Sequence, residues 1–432
     1  MDDREVLERM RADWNQRAGE DANYYVAFGR REQDDEEFFS TAADVLRLLT
    51  GDLKRLRGTE AALEIGCGPG RLMRPLARHF AEIHGVDVSG EMVRLAGERL
   101  RRTPNAHAHA TSGGDLALFP DGKFDFVYSY AVFQHIPSRD VVFNYLREAR
   151  RVLKTGGILR CQVNGLPPHA RQYDTWSGVR LSAAEMAQFA RDHDFQLLAL
   201  EQVWTQYMWV TCRKMPAGWT QSLERASGAA GGGCRIRNIS NALTGERVAP
   251  ATGPMAALSV WIDALPADCD LNHMAMTAAG GRCRLSYIGE PEADGVSQVN
   301  GALPEGIRTG LVPIELTWLG RPLSTPAWVR IMPAGPSVPR IGTVTDGVNL
   351  LSGNRIVSGV LKVTMFDVAR AGDFRAFIDG AEIAQTESFC VDPVAERWEF
   401  NVPLPKGIAM GAHEVRIALG RRAFRPVAIE VA

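Results

Sequence analysis

The sequence has no run of about 18 apolar residues, so a helical membrane span is not expected. It has no surplus of either charge: Lys plus Arg number 49, Asp plus Glu 51, and the formal net charge is −2. A basic nucleic-acid footprint is therefore not visible over the whole chain. The seven cysteines form no Cys-x-x-Cys pair and no Cys/His cluster, which argues against a zinc site or a disulfide framework. The first ten residues, MDDREVLERM, are too charged for a signal peptide. These absences lead to the expectation of a soluble, cytoplasmic protein that binds neither membrane nor nucleic acid and holds no metal. What is present is 432 residues, 45% of them hydrophobic, enough for several cores. At about 100–200 residues per domain that suggests two to four domains.

The pattern changes near residue 215. Before it, helical periodicity alternates with short apolar strands. Residues 138–153 carry apolar groups at helical spacing, and 156–163 read as a strand opened by two glycines. This alternation predicts a parallel sheet covered by helices. After residue 233, short alternating strands such as 257–263 and 360–366 stand between Pro, Gly, Asn and Asp turns. That is the grammar of β-sandwiches. The Ala/Gly-containing stretch 216–233 reads as a linker.

The β-rich part repeats itself. Leu303-Pro304-Glu305-Gly306-Ile307 recurs as Leu404-Pro405-Lys406-Gly407-Ile408, Leu319-Gly320-Arg321 as Leu419-Gly420-Arg421, and Arg235-Ile236 as Arg340-Ile341. The offsets of 101, 100 and 105 are a whole domain rather than a solenoid unit. Two tandem sandwiches are expected, 234–336 and 337–432.

The chemistry concentrates in 61–71, Ala-Ala-Leu-Glu-Ile-Gly-Cys-Gly-Pro-Gly-Arg. An apolar strand ends in Glu64, turns through Gly66, Gly68 and Gly70, and enters a helical stretch. Such glycines let the backbone approach a ligand and adopt dihedrals that a Cβ would block. A second strand ends in Asp87, placed to accept hydrogen bonds from both hydroxyls of a ribose. A dinucleotide fingerprint would need a glycine at position 71, which is Arg71. An acid at the first strand end suits a ligand with a cationic group and no phosphate, such as S-adenosylmethionine.

LEIGCGPG, GVDVSGEM, DGKFDFVYSYAVFQHIP and REARRVLKTGGIL, in this order, resemble the motifs of class I S-adenosylmethionine-dependent methyltransferases of the broad small-molecule type. The resemblance covers about 1–215 and implies an α/β, Rossmann-like seven-stranded sheet, with 195–203 and 206–213 as its terminal hairpin. The two all-β units that follow resemble immunoglobulin-like folds of the IPT/TIG kind in pattern only. Carried over by position, Glu64, Gly66, Cys67, Gly68 and Gly70 surround the amino acid end of the cofactor. Asp87 binds the ribose, Val88 and Met92 neighbour the adenine, Ser112 or Asp115 takes its amino group, and Tyr130 faces the methyl group. Cys67 itself reads as a small packing residue in the glycine loop.

A hydroxyl acceptor needs its proton removed during attack, and His135 stands where the family's acceptor binds. The alternative for His135 is a structural histidine in a loop. Gln134 is a further acceptor-facing candidate, and Tyr24 and Tyr25 are expected in a lid over the pocket. The implied activity is methyl transfer to a small-molecule or saccharide hydroxyl, giving S-adenosylhomocysteine. The alternative is a catalytically silent scaffold that binds the cofactor. The sandwiches are candidates for a homo-oligomer contact, and a chain ending near 215 is expected to keep cofactor binding.

Overall fold

The computed structural model describes residues 3–27, 31–51, 56–168, 173–225, 233–335, 338–347, 353–384, 386–392 and 396–432. Two compact units emerge, Met1–Gln16 with Ala42–Ala334 and Arg17–Thr41 with Gly335–Ala432. Of the expected linker, 226–232 lies outside the described residues, and Trp219–Arg225 is helical. No helix among the described residues is long and apolar enough to cross a membrane.

In the first unit, β1 (Ala61–Ile65), β2 (Glu82–Asp87), β3 (Ala106–Ala110), β4 (Phe124–Ser129) and β5 (Leu153–Val163) run parallel. β1 is buried along its whole length, as a parallel strand covered on both faces must be. The helix expected at 138–153 is Arg139–Val152. Ser138 starts it by accepting the Val141 amide, and Val142, Leu146 and Ala149 are among the side chains it buries. β6 (Phe195–Glu201) and β7 (Met208–Lys214) form an antiparallel hairpin, and β7 also pairs antiparallel with β5. The order is β3-β2-β1-β4-β5-β7-β6, which gathers the carboxyl ends of β1, β2 and β4 at one edge of the sheet.

The sheet does not stop at β6. The next ten strands are β8 (Arg235–Asn241), β9 (Val248–Pro250), β10 (Ala257–Asp263), β11 (Met274–Ala278), β12 (Gly281–Arg282), β13 (Arg284–Ile288), β14 (Val296–Ala302), β15 (Gly310–Trp318), β16 (Arg321–Pro322) and β17 (Ala327–Met332). β13 pairs antiparallel with β6, Tyr287 opposite Ala199, so one eleven-stranded sheet continues through β13-β14-β10-β8. A second sheet, β12-β11-β15-β17-β9, shares an apolar core with those four strands that includes Val260, Val299, Ile314 and Ile331.

The junction is polar as well as apolar. Buried Gln196 donates to the carbonyls of Ala267 (2.6 Å) and Cys269 (2.9 Å), the Leu271 amide donates to Leu197 O (2.9 Å), and Arg213 pairs with Glu290. Leu271 packs against the cores on both sides. The boundary read from the sequence at 216–233 therefore falls inside one compact unit. An apolar β6 edge left open would template association, and β13 covers it.

The second unit holds β18 (Arg340–Asp346), β19 (Arg355–Ile356), β20 (Val360–Phe366), β21 (Phe374–Ile378), β22 (Ala381–Glu382), β23 (Glu387–Asp392), β24 (Arg397–Pro403), β25 (Gly411–Leu419), β26 (Arg422–Ala423) and β27 (Val427–Val431). Its sheets, β18-β20-β24-β23 and β19-β27-β25-β21-β22, repeat the first module strand for strand, down to the parallel pairing of β19 with β27 that matches β9 with β17.

Candidate active site

Glu64 and Asp87 come together at the tips of β1 and β2. The loop between β1 and the next helix folds back on β2, with the Gly66 and Cys67 amides donating to Val86 O at 2.8 and 3.0 Å. Gly66, Gly68 and Gly70 all have left-handed φ, of 77, 50 and 84°. At Gly66 a Cβ would also stand 2.3 Å from a Val132 methyl, so the loop is built for glycine twice over. Cys67 is buried and packs in the core beside Met73.

Asp87 is organised by the loop it serves. Its Oδ2 accepts the Gly68 amide and its Oδ1 the Ser89 amide, both at 2.9 Å. Burial raises the Asp87 carboxyl above its usual range, opposed by the Ser89, Gly68 and Val88 amides. Glu64 is buried and accepts the Tyr128 hydroxyl at 2.8 Å. Burial pushes its carboxyl up to about 8, against the pull of Tyr128 and then of Arg71. Two carboxyls held from water at neighbouring strand tips make an environment that a cationic ligand group would relieve.

Val88 packs against Gly113, where φ is 91° and Val88 fills the place of a Cβ. Met92 is buried, its amide capped by Ser89 Oγ. Ser112 and Asp115 lie in the turn after β3 and bond to each other, Ser112 Oγ donating to Asp115 Oδ2 at 2.8 Å. Tyr130 follows β4 directly, lies 5.9 Å from Trp209 in a stacked arrangement, and has the Arg71 guanidinium 5.6 Å from its ring centre. The next residue, Ala131, takes a left-handed φ of 56°, and its amide donates to Gln162 Oε1. A non-glycine residue in that region costs about 1 kcal/mol, a backbone strain of the kind that clusters at functional sites.

His135 ends a short 3-10 turn, Phe133–His135, and is buried. Trp14 meets it edge-on at 5.6 Å and Trp176 stands 6.2 Å away. Gln134 Nε2 lies 3.4 Å from His135 Nε2. The cover over this end comes from the start of the N-terminal helix. Asn15 Oδ1 accepts Ser89 Oγ at 2.8 Å, Asp13 accepts Thr175 Oγ1, and Asp3 accepts Ser138 Oγ at 2.8 Å. Leu7 closes on Gly113 and Gly114.

Tyr24 and Tyr25, expected in that lid, fall in the other compact unit. There they pack edge-to-face at 5.2 Å with Arg31 over both rings. From this stretch it is Trp14 and Asn15 that reach His135 and Ser89. Sequence reading also passed over Tyr128, whose signal was its register opposite Glu64 on β4. Among the described residues no group of three His, Cys, Asp or Glu could hold a metal ion.

A parallel sheet buried on both faces, a glycine loop after its first strand and acids at two strand tips are features that this half of the chain shares with class I methyltransferase domains. Residues 63–161 match the family model described as a methyltransferase domain. The chain is 32% identical over 128 residues to 2-methyl-6-phytyl-1,4-hydroquinone methyltransferase of Synechocystis sp., covering 29% of this chain and 39% of that protein. It is 31% identical over 154 residues to trans-aconitate 2-methyltransferase of Afipia carboxidovorans, covering 35% and 50%. The chain thus spans half or less of the length of these curated relatives. Among solved structures it is similar to Haemonchus contortus phosphoethanolamine N-methyltransferase 1 bound to phosphoethanolamine and S-adenosylhomocysteine. That likeness has a TM-score of 0.39 and 15% identity, covering 50% of each chain.

Proposed function

We propose that this chain transfers a methyl group from S-adenosylmethionine to a hydroxyl of a small-molecule or saccharide acceptor. The observation that carries the reading is the pair of acids at adjacent strand tips, Glu64 raised to about 8 by burial and Asp87 pinned by the Gly68 and Ser89 amides. The cofactor, when bound, supplies a methyl group made electrophilic by the sulfonium. Glu64 receives the ammonium end, the Gly66–Gly70 loop admits the chain close to backbone, and Asp87 accepts the ribose hydroxyls. Val88 and Met92 flank the adenine, whose amino group falls to Ser112 or Asp115. Trp14 and Trp176 exclude water around His135, which takes the acceptor proton, and Tyr130 and Gln134 hold the acceptor in line. In the same reading the first seven strands are the methyltransferase sheet and the two β modules are immunoglobulin-like sandwiches.

Calorimetry with S-adenosylmethionine and S-adenosylhomocysteine is expected to give binding in the native chain. Asp87→Ala is expected to weaken it roughly 10- to 100-fold, the loss of one or two hydrogen bonds to a charged acceptor. No heat with either nucleoside rejects the reading. Binding without formation of S-adenosylhomocysteine on any acceptor transfers the chain to the silent-scaffold alternative.

A further inference from the structure

The two β modules agree strand for strand, which makes each a control for the other's surface. The sheet β11-β15-β17 turns alternate residues of β15 and β17 outward. In the first module those residues include Leu311, Pro313, Trp328, Arg330 and Met332, with Trp328 directly across from Pro313 and Leu311 across from Arg330. On β9, Pro250 stands opposite Met332 and extends the patch. Trp328 is 60% exposed, Leu311 54% and Met332 43%. In the second module the same register holds Ala412 opposite Glu430 and Glu414 opposite Ala428. The fold of the module is therefore satisfied by small and charged residues where the first copy exposes an indole, a leucine, a proline and an arginine. Folding does not require the apolar patch, and exposed apolar clusters on one copy alone mark a contact surface.

We infer that the Trp328 face of the first β module is a carbohydrate-binding platform. Stable protein interfaces engage about 20–30 residues a side. A patch of half a dozen residues is far below that. Three strands at about 4.8 Å spacing give a strip roughly 10 Å wide, the scale of a single sugar chain. The indole face offers the apolar C–H face of a pyranose a surface to stack on, and burial of that face is the gain. Arg330, two residues along β17 on the same side, brings donors for ring hydroxyls or a uronic carboxylate. This inference does not depend on the transfer reaction, because its readout is binding alone.

The test uses the full chain, with affinity electrophoresis and calorimetry against oligosaccharides of glucose, N-acetylglucosamine, mannose, galactose and glucuronic acid. At least one is expected to bind the native chain. Trp328→Ala is expected to weaken that binding at least tenfold while leaving the unfolding midpoint and S-adenosylhomocysteine binding unchanged. Adding Ala428→Trp to Trp328→Ala is not expected to restore it, because Ala412, Glu414 and Glu430 stand there in place of Leu311, Pro313 and Arg330, and restoration by that indole alone would overturn the inference. Absence of binding across the panel, or binding indifferent to Trp328→Ala, overturns the inference. So does a native dimer that Trp328→Ala converts to monomer.

Discussion

The first and second β modules have the same ten strands in the same order, yet their outer strands differ in what they do. β13 is shared with the N-terminal α/β sheet through β6, whereas β23 has β24 as its neighbour among the described residues. The residues follow suit. β13 reads Arg-Leu-Ser-Tyr-Ile, while β23 begins with Glu387 and ends with Asp392, acidic ends that discourage strand addition. One duplicated fold, with an apolar core in each copy, thus extends the N-terminal sheet in one copy and ends in an acidic outer strand in the other. Topology alone does not decide whether a domain is appended or integral; its edge residues do.

The largest effect should come from cutting at the junction. A chain ending at 215 keeps β6 but loses β13, the two carbonyls that satisfy buried Gln196, and Leu271. Water can take over the Gln196 amide, but the apolar surface of β6 that β13 and Leu271 cover would be exposed at about 25 cal/mol per Å², and typical domains hold only about 5–15 kcal/mol in all. We expect this chain to lack a cooperative thermal transition by circular dichroism and to elute as aggregate. A soluble, cooperatively unfolding 1–215, as the sequence pattern by itself suggests, would return the first module to the status of an appendage.

A smaller effect should separate the modules by their cores. Val260 and Val363 occupy equivalent, fully buried positions, each in the middle of its strand. Truncating either to Ala removes two methyl groups and should cost roughly 2 kcal/mol. Val260→Ala should lower the protection of amides in β5, β6 and β7 along with its own module, because the first unit is one body. Val363→Ala should leave those amides unchanged. Hydrogen exchange read by mass spectrometry distinguishes the cases, and equal, local losses in both variants would dissolve the contrast.

Much of this was legible before any coordinates. Glu64, the three glycines and Asp87 are readable because strand-end acids and positive-φ glycines are local features, and the repeat is readable because turn sequences keep their spacing. The strands at 257–263 and 360–366 match β10 and β20. The rest depends on contacts that sequence proximity does not encode. The β6–β13 pairing joins residues about 90 positions apart, Ala199 and Tyr287. Gln196 looks like any surface glutamine until the carbonyls of Ala267 and Cys269 close on it. At the site, Tyr128 announces itself only through β1–β4 register, and Trp14 gains its place over His135 only once the N-terminal helix docks. Tyr24 and Tyr25 lie on the same stretch as Trp14, but a kink at Asp21, with φ of −170° and ψ of 88°, separates them from it.

The smallest effect concerns a titrating contact at the start of β11, a position where the second module has no histidine. His273, just before β11, shares its Nδ1 with the carboxylate of buried Asp270 at 2.7 Å and faces Glu224 of the helix Trp219–Arg225 at 3.5 Å. The equivalent positions in the second module hold Arg370 and Asp373, and its histidine–carboxylate pair lies elsewhere, His413 Nδ1 with Asp379 Oδ2 at 2.6 Å. Burial lowers the His273 pKa, but the hydrogen bond and charge of Asp270, with Glu224 behind them and Arg191 opposing, leave it raised. The folded state therefore holds this proton more tightly than the unfolded chain, whose histidine titrates near 6.5. The stability it adds is complete below about pH 6.5 and is lost as pH rises through the raised value. Thermal midpoints of the first unit measured from pH 5 to 9 should fall in this window, and the second unit, through its own His413–Asp379 pair, should show a separate fall that does not respond to His273. His273→Gln should flatten that slope, and an unchanged slope in the variant would assign it to another group.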